Sequence, residues 1–163
     1  EIICEPLGQS VNRAREWFFN RDCATFTSWR GREEKTREQN NKTNKELSDA
    51  LREKGYGVIK LRGCYTDAQN KLQKENSFLV VDLINDSDLF YNTVYSLSEK
   101  YGQECFLYKK QDEDNAYLIW TNDAFGKGRK ELAGKMRINS NTAKNYSVIS
   151  HTRISFEKDE QKS

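Results

Sequence analysis

The sequence has very little proline and histidine, and it has no long apolar run. Pro6 is the only proline and His151 the only histidine among 163 residues. No apolar stretch approaches the roughly 18 residues that a membrane-spanning helix needs. The start of the sequence shows no signal-peptide pattern. These absences argue against a proline-rich linker, a histidine-based metal site and a membrane anchor.

The cysteines are few and widely spaced. They stand at Cys4, Cys23, Cys64 and Cys105, and none forms a CxxC pair. With a single histidine they give no zinc-type ligand set, so we expect reduced thiols and neither a metal nor a cofactor. A Ser-His-Asp triad would have to use His151, which lies in a predicted C-terminal strand, and we do not predict one.

The composition is that of one hydrated, folded domain. Charged residues make up 32% and aromatic residues 12%, and the net charge is only +2. The aromatic content argues against disorder, and the charge is too small to imply nucleic acid by itself. We therefore expect a single domain over residues 1–157, followed by a flexible C-terminal tail at 158–163.

Apolar periodicity predicts three helices and several strands. A short helix follows Ser10, a second runs from about Lys35 to Lys54, and a third follows "NDSD". Strands are predicted at 23–29, in the hairpins "YGVIKLRGCYT"/"SFLVVDLI" and "QECFLYKK"/"NAYLIWTND", and in "YSVISHTRISFE". The predicted fold is α+β, with three helices packed on a mixed, mainly antiparallel sheet.

The turn "TSWRGR" is the first candidate for a ligand site. Ser28, Arg30 and Arg32 lie together just before the second helix, whose first N–H groups can help an arginine to hold a phosphate. Asn41 and Asn44 share one face of that helix and lie beside its apolar edge. We predict that these five residues bind a ligand close to one another. The alternatives are a solvated turn, and amides that only support it.

The glycine-containing segment 126–145 is the second candidate. It is rich in basic residues, and those assigned to phosphate contacts are Lys127, Arg129, Lys130, Lys135 and Arg137. Three glycines and few apolar residues predict a mobile, irregular loop that can follow a nucleic-acid backbone. A solvated loop without a partner is the alternative.

Three acidic features complete the set. Glu75 stands two residues before "FLVV", and Gly63 marks a bulge or a close backbone approach in the preceding strand. Asp82 ends the apolar strand, but no partner for a metal site can be assigned to it. The run "DEDN" is predicted to be a solvated hairpin tip.

Several of these motifs resemble a group of small uncharacterised proteins encoded by bacteriophages and bacteria. The likeness covers about residues 25–108 and follows a Ser-x-x-Arg-Gly-type turn, an Asn-bearing helix, a Gly-x-Tyr strand, a Glu-x-Ser-Phe strand start and a Tyr-Gly-Gln helix end. The matching positions are Ser28, Arg30, Gly31, Asn41, Asn44, Gly55, Gly63, Glu75, Ser77, Tyr101, Gly102 and Gln103. The resemblance implies a compact phage-type accessory protein and names no substrate.

Three functions follow from these features. The first is a non-catalytic protein that binds nucleic acid or a nucleotide through the basic turn and the basic loop. The second is an inhibitor or adaptor that binds a host or viral protein through its uneven charge distribution. The third is an enzyme that processes nucleic acid or a nucleotide, although the sequence shows no recognisable catalytic set. We expect a cytoplasmic protein without a membrane partner.

Overall fold

The computed structural model describes residues 9–27, 35–66, 69–122, 126–140, 146–149 and 152–159. These residues form three α-helices and eight β-strands. The helices are α1 (Gln9–Asn20), α2 (Arg37–Glu53) and α3 (Ser87–Lys100). The strands are β1 (Cys23–Phe26), β2 (Gly57–Thr66), β3 (Leu72–Val81), β4 (Cys105–Lys109), β5 (Asn115–Trp120), β6 (Lys130–Ile138), β7 (Tyr146–Ile149) and β8 (Thr152–Glu157).

The eight strands close into an antiparallel barrel in the order β1-β3-β2-β7-β8-β6-β5-β4. Two non-local pairings close it: β1 pairs with β4, and β2 pairs with β7. The prediction of an α+β domain with helices on a mixed sheet is therefore wrong. The interior of a closed barrel is filled by the side chains of its own strands. Helices are then needed on only part of the outer surface.

One apolar core lies inside the barrel. It contains side chains from every strand, among them Cys23, Leu79, Leu107 and Ile154, and only the interior brings all eight strands together. A second core lies outside, where α2 and α3 cover β1, β3, β4 and β5. Successive residues of β3 alternate between the two cores, because neighbouring side chains of a strand point to opposite faces. The run "FLVV" is thus buried on both sides, as predicted.

Helix α1 packs against one end of the barrel, which we call the helix end. Ala14 and Phe18 belong to the interior core, and both are fully buried. Trp17 lies over the start of β2, where a Cβ added to Gly57 would come within 3.0 Å of its ring. The opposite end of the barrel, where β1 ends and β4 begins, we call the cavity end.

The segment predicted to be a mobile basic loop contains a strand. Residues 130–138 form β6, which pairs with β5 and β8. Gly134 has φ +110°, and an added Cβ would lie 2.1 Å from the main-chain oxygen of Glu157. Gly134 therefore lets the end of β8 approach β6 closely, and it does not indicate a mobile loop. The predicted single C-terminal strand is divided into β7 and β8.

Two further expectations can be compared with the structure. Cys23, Cys64 and Cys105 are free thiols, as expected, whereas Cys4 lies outside the described residues. None of the helices in the described ranges combines the length and the apolar character needed to cross a lipid bilayer.

Candidate active site

A cavity of about 600 Å³ occupies the cavity end of the barrel. Its wall is formed by β1, β2, β3, β4 and β7, with Leu118 of β5 and residues of β8. Its volume lies within the range of roughly 300–1,000 Å³ that is usual for small-molecule sites. Since α1 covers the other end, this cavity is the interior space that a ligand can reach.

The polar wall of the cavity is a continuation of the apolar core. Along the inward face of β3, the residues from the helix end are Val81, Leu79, Ser77 and Glu75. The first pair belongs to the core, whereas the second pair lines the cavity. The alternation of the strand thus places a hydroxyl and a carboxyl directly above a dry barrel interior.

The space beside Glu75 exists because the opposite residue is a glycine. The register of the β2–β3 hairpin pairs Gly63 with Glu75. Directly opposed residues in an antiparallel pair point to the same face. A Cβ added to Gly63 would lie 3.6 Å from Cγ of Glu75 and 3.9 Å from Oγ of Ser77. Any larger side chain would therefore fill the space that these two groups share.

The electrostatics of the cavity favour a cation. Burial raises the pKa of the Glu75 carboxyl from 4.5 to about 7. Among the described residues, burial alone causes this shift, and none of them contributes a charge or a hydrogen bond to it. Glu104 is the other charged side chain among the described lining residues, and it is also acidic. A positively charged ligand would relieve the cost of the buried carboxylate.

Amide and hydroxyl groups of α2 and β1 fix the β3 wall next to Glu75. Oγ1 of Thr27 donates to the main-chain oxygen of Asn76 at 2.6 Å, and Nδ2 of Asn44 donates to the same oxygen at 2.9 Å. Thr27 also donates to Oδ1 of Asn44 at 3.3 Å. These bonds join α2, the end of β1 and β3, so they support the cavity from behind.

The residues that follow α3 form the rim of the cavity on the side opposite β3. Gly102 follows the helix with φ 68°, a conformation that glycine adopts at little cost. The chain then turns so that the main-chain oxygen of Gln103 accepts a hydrogen bond of 2.8 Å from Thr121. Gly102, Gln103 and Glu104 lie along the cavity as a result.

The predicted Ser/Arg turn cannot be placed against this cavity, because Ser28, Arg30 and Arg32 lie outside the described residues. Of the two predicted amides, Asn44 is buried and bonded to β3, whereas Asn41 is exposed on the outer surface. Both line a different cavity, between α2 and the barrel. A ligand at these residues remains a prediction.

The predicted nucleic-acid contacts are largely engaged within the protein. Lys127 forms an ion pair with Glu99, and Lys135 and Arg137 form ion pairs with Asp159. Nζ of Lys130 lies 4.0 Å from the ring centre of Tyr117. Arg129 is exposed. Lys130, Lys135 and Arg137 belong to strand β6, and Lys127 and Arg129 lie in the turn before it.

The remaining acidic features have structural roles. Oδ1 of Asp82 accepts hydrogen bonds from the main-chain N–H groups of Ile84 and Asn85, so this carboxylate fixes the turn after β3. The run "DEDN" forms the turn between β4 and β5, as predicted.

The sequence marks Glu75 and Gly63 as strand features, but no local pattern joins them into one site. The motif resemblance contained the missing signal, because several of its positions line the cavity. These are Gly63, Glu75, Ser77, Gly102 and Gln103. These positions are far apart in the sequence and meet at one cavity only in the folded barrel.

The fold and the cavity together describe a small barrel protein with an interior cavity whose charged lining residues, among those described, are acidic. The model of the S-adenosylmethionine lyase family matches residues 30–157, which is well over half of the chain. The chain belongs to the S-adenosylmethionine lyase family. A comparison with curated proteins gave no match.

The family corrects the functions predicted from the sequence. A non-catalytic accessory or inhibitor protein is contradicted, because the family is one of enzymes. The third hypothesis, an enzyme that acts on a nucleotide, comes nearest, since S-adenosylmethionine carries an adenosine. The resemblance to a small-protein family correctly indicated a family relationship, but that family is a known one.

Proposed function

We propose that this protein is a lyase that cleaves S-adenosylmethionine in the cavity at the cavity end of the barrel. The observation that carries the proposal is the half-buried Glu75 carboxyl on the cavity wall, which has no cationic partner among the described residues. S-adenosylmethionine is a cation at its sulfonium sulfur and at its ammonium group. Either group would supply the positive charge that the cavity lacks.

The lyase reaction breaks a carbon–sulfur bond without water. The electron pair of that bond moves to sulfur, so the sulfonium becomes a neutral thioether. The carbon that loses sulfur forms a new bond in one of two ways. The neighbouring carbon loses a proton and a double bond forms, or the substrate's own carboxylate displaces the sulfur in an intramolecular substitution. In both routes the positive charge on sulfur disappears in the transition state.

The apolar part of the cavity wall assists this step. The transition state carries less positive charge on sulfur than the substrate does. An apolar wall therefore destabilises the transition state less than the ground state, which lowers the barrier. Leu107, Leu118 and Phe156, which face the barrel interior, supply such a wall. Glu75 then has one of two roles: it accepts the proton in an elimination, or it holds the ammonium group while the substrate's carboxylate attacks.

The function is tested by incubating the purified protein with S-adenosylmethionine and no acceptor molecule. We expect loss of the substrate and release of a neutral thioether. Glu75→Gln should lower kcat/KM by a factor of roughly 100 or more, as is typical for loss of an essential acid–base or charge-pairing group. Glu113→Gln, which removes an exposed carboxylate in the β4–β5 turn, is the matched control. A Glu75→Gln variant with full activity would exclude this site.

The two chemical routes differ in their products. Elimination gives an unsaturated amino acid, whereas intramolecular substitution gives a lactone. Deuterium on the carbon next to the one that bears sulfur should slow elimination and leave substitution nearly unaffected. Product analysis and this isotope effect together assign the role of Glu75.

A further inference from the structure

A second cavity lies outside the barrel, between α2 and strands β2 and β3. Its volume is about 470 Å³. We call it the α2 cleft and define it by Asn41, Lys45, Ser48, Arg52, Lys60 and Asn76. Its outer-surface residues Lys60 and Asn76 point away from the face that carries Glu75, because they alternate with the inward-facing residues of their strands.

The α2 cleft carries an excess of positive charge. Lys45, Arg52 and Lys60 are its cations, and Asp49 is the one carboxylate among its described lining residues. A 2.8 Å hydrogen bond from Lys45 lowers the pKa of Asp49, and the charges of Arg52 and Lys60 contribute in the same direction. All three cations are thus close enough to act on one carboxylate. Neither Arg52 nor Lys60 has an ion pair with a carboxylate of the described residues.

The polar side of α2 faces the sheet and forms a fixed wall. Asn41, Asn44, Ser48 and Arg52 follow one another at helical spacing along that side. Asn44 and Ser48 are only 4% and 2% exposed, and each has a hydrogen-bond partner. Ser48 accepts a 2.6 Å bond from Nη1 of Arg52, which fixes the guanidinium at the cleft.

These groups match the chemistry of a phosphate. A guanidinium presents several N–H donors in a plane, and it holds phosphate oxygens bidentately. The ammonium of Lys60 adds a mobile charge, and the exposed amide of Asn41 adds a neutral donor. A carboxylate of one negative charge would leave the cleft with an excess of cations, whereas a phosphate dianion would neutralise it.

We propose that the α2 cleft is a second binding site, which takes a small phosphate-bearing molecule between Arg52 and Lys60. The site is separate from the cavity of Glu75, and the proposal holds whether or not the protein cleaves S-adenosylmethionine. It adds a ligand-binding role to the amide face of α2, of which Asn44 also holds the β3 wall. Because Asn44 and Asn76 also support the β3 wall, an occupied cleft would stiffen that wall.

The test uses inorganic pyrophosphate and isothermal titration calorimetry at constant ionic strength. We expect saturable binding at one site per chain. Arg52→Gln and Lys60→Gln should each raise the Kd at least tenfold. Lys54→Gln removes the same charge from the exposed end of the α2 segment, outside the cleft, and should change the Kd less than twofold.

Two results would overturn the proposal. One is the absence of saturable binding to the folded wild-type protein. The other is an equal loss of affinity in Lys54→Gln, which would show diffuse attraction by surface charge. Thermal unfolding confirms that each variant is folded. Lys60 is exposed on a strand, so Lys60→Gln keeps the test decisive if Arg52→Gln fails to fold.

Discussion

Replacing Glu75 with glutamine should make the protein more stable at high pH. Burial raises the pKa of this carboxyl from 4.5 to about 7, so the folded chain keeps the proton in a range where the unfolded chain has lost it. The contribution of Glu75 to stability is therefore greatest below pH 4.5, falls as pH rises and levels off above about 7. At ~1.4 kcal/mol per pKa unit, the charged carboxylate costs about 3 kcal/mol of unfolding free energy. Glutamine avoids this cost because it is neutral at every pH.

The assay is thermal unfolding of the wild type and of Glu75→Gln at acidic and at alkaline pH. For a domain of this size ~1 kcal/mol corresponds to about 2–4 °C, so the variant should melt roughly 6–12 °C higher at alkaline pH and nearly equally at acidic pH. Glu113→Gln should show no such pH dependence, since its side chain is exposed. A variant that is less stable than the wild type at alkaline pH would refute the reasoning, because glutamine would then be losing a favourable contact.

Four further outcomes are expected. Gly63→Val should keep the melting temperature within a few degrees and raise KM for S-adenosylmethionine about tenfold or more, and an unchanged KM would place the substrate elsewhere. Gly134→Ala should cost at least ~3 kcal/mol in urea unfolding, because its Cβ meets the main-chain oxygen of Glu157 at 2.1 Å; near wild-type stability would contradict that contact. Asp22→Asn should cost about 2–4 kcal/mol, since this buried carboxylate accepts three hydrogen bonds, and a cost below ~1 kcal/mol would count against them. KM should fall as pH rises through about 7, when Glu75 becomes charged, and a flat profile would exclude charge pairing at this carboxyl.

Local elements could be predicted from the sequence because their signals are local. The second helix, predicted from about Lys35 to Lys54, is α2 (Arg37–Glu53), and the Tyr-Gly-Gln helix end contains Gly102, which has positive φ after α3. The apolar run of β3 predicted a strand buried on both faces, and it alternates between the two cores. In each case the interactions that determine the local structure lie within one helix or strand or between it and the adjoining residues.

Barrel closure could not be predicted in the same way. Closure depends on the pairing of β1 with β4 and of β2 with β7, and no local pattern specifies such partners. The strand β6 was missed because glycines and basic residues usually indicate a loop. Gly134 is there because β8 approaches it closely, and that requirement is visible only in three dimensions.

The candidate site was missed for a related reason. The sequence drew attention to arginines and asparagines, which are familiar anion-binding groups, whereas the cavity is acidic. The importance of Glu75 depends on its burial and on Gly63 opposite, and both follow from the hairpin register. An isolated glutamate in a strand gives no such signal.

The pairing of β2 with β7 also has a consequence for synthesis of the protein on the ribosome. Arg62 of β2 pairs with Val148 of β7, so β2 is synthesised long before its partner strand emerges from the ribosome. Until then, β2 and β6 present open edges, to which another chain can add. The Glu75 cavity also lacks its β7 and β8 walls during this interval. Until β7 and β8 emerge, the cavity is therefore incomplete and the open edges expose the nascent protein to aggregation, so chaperone dependence should be greatest at that stage.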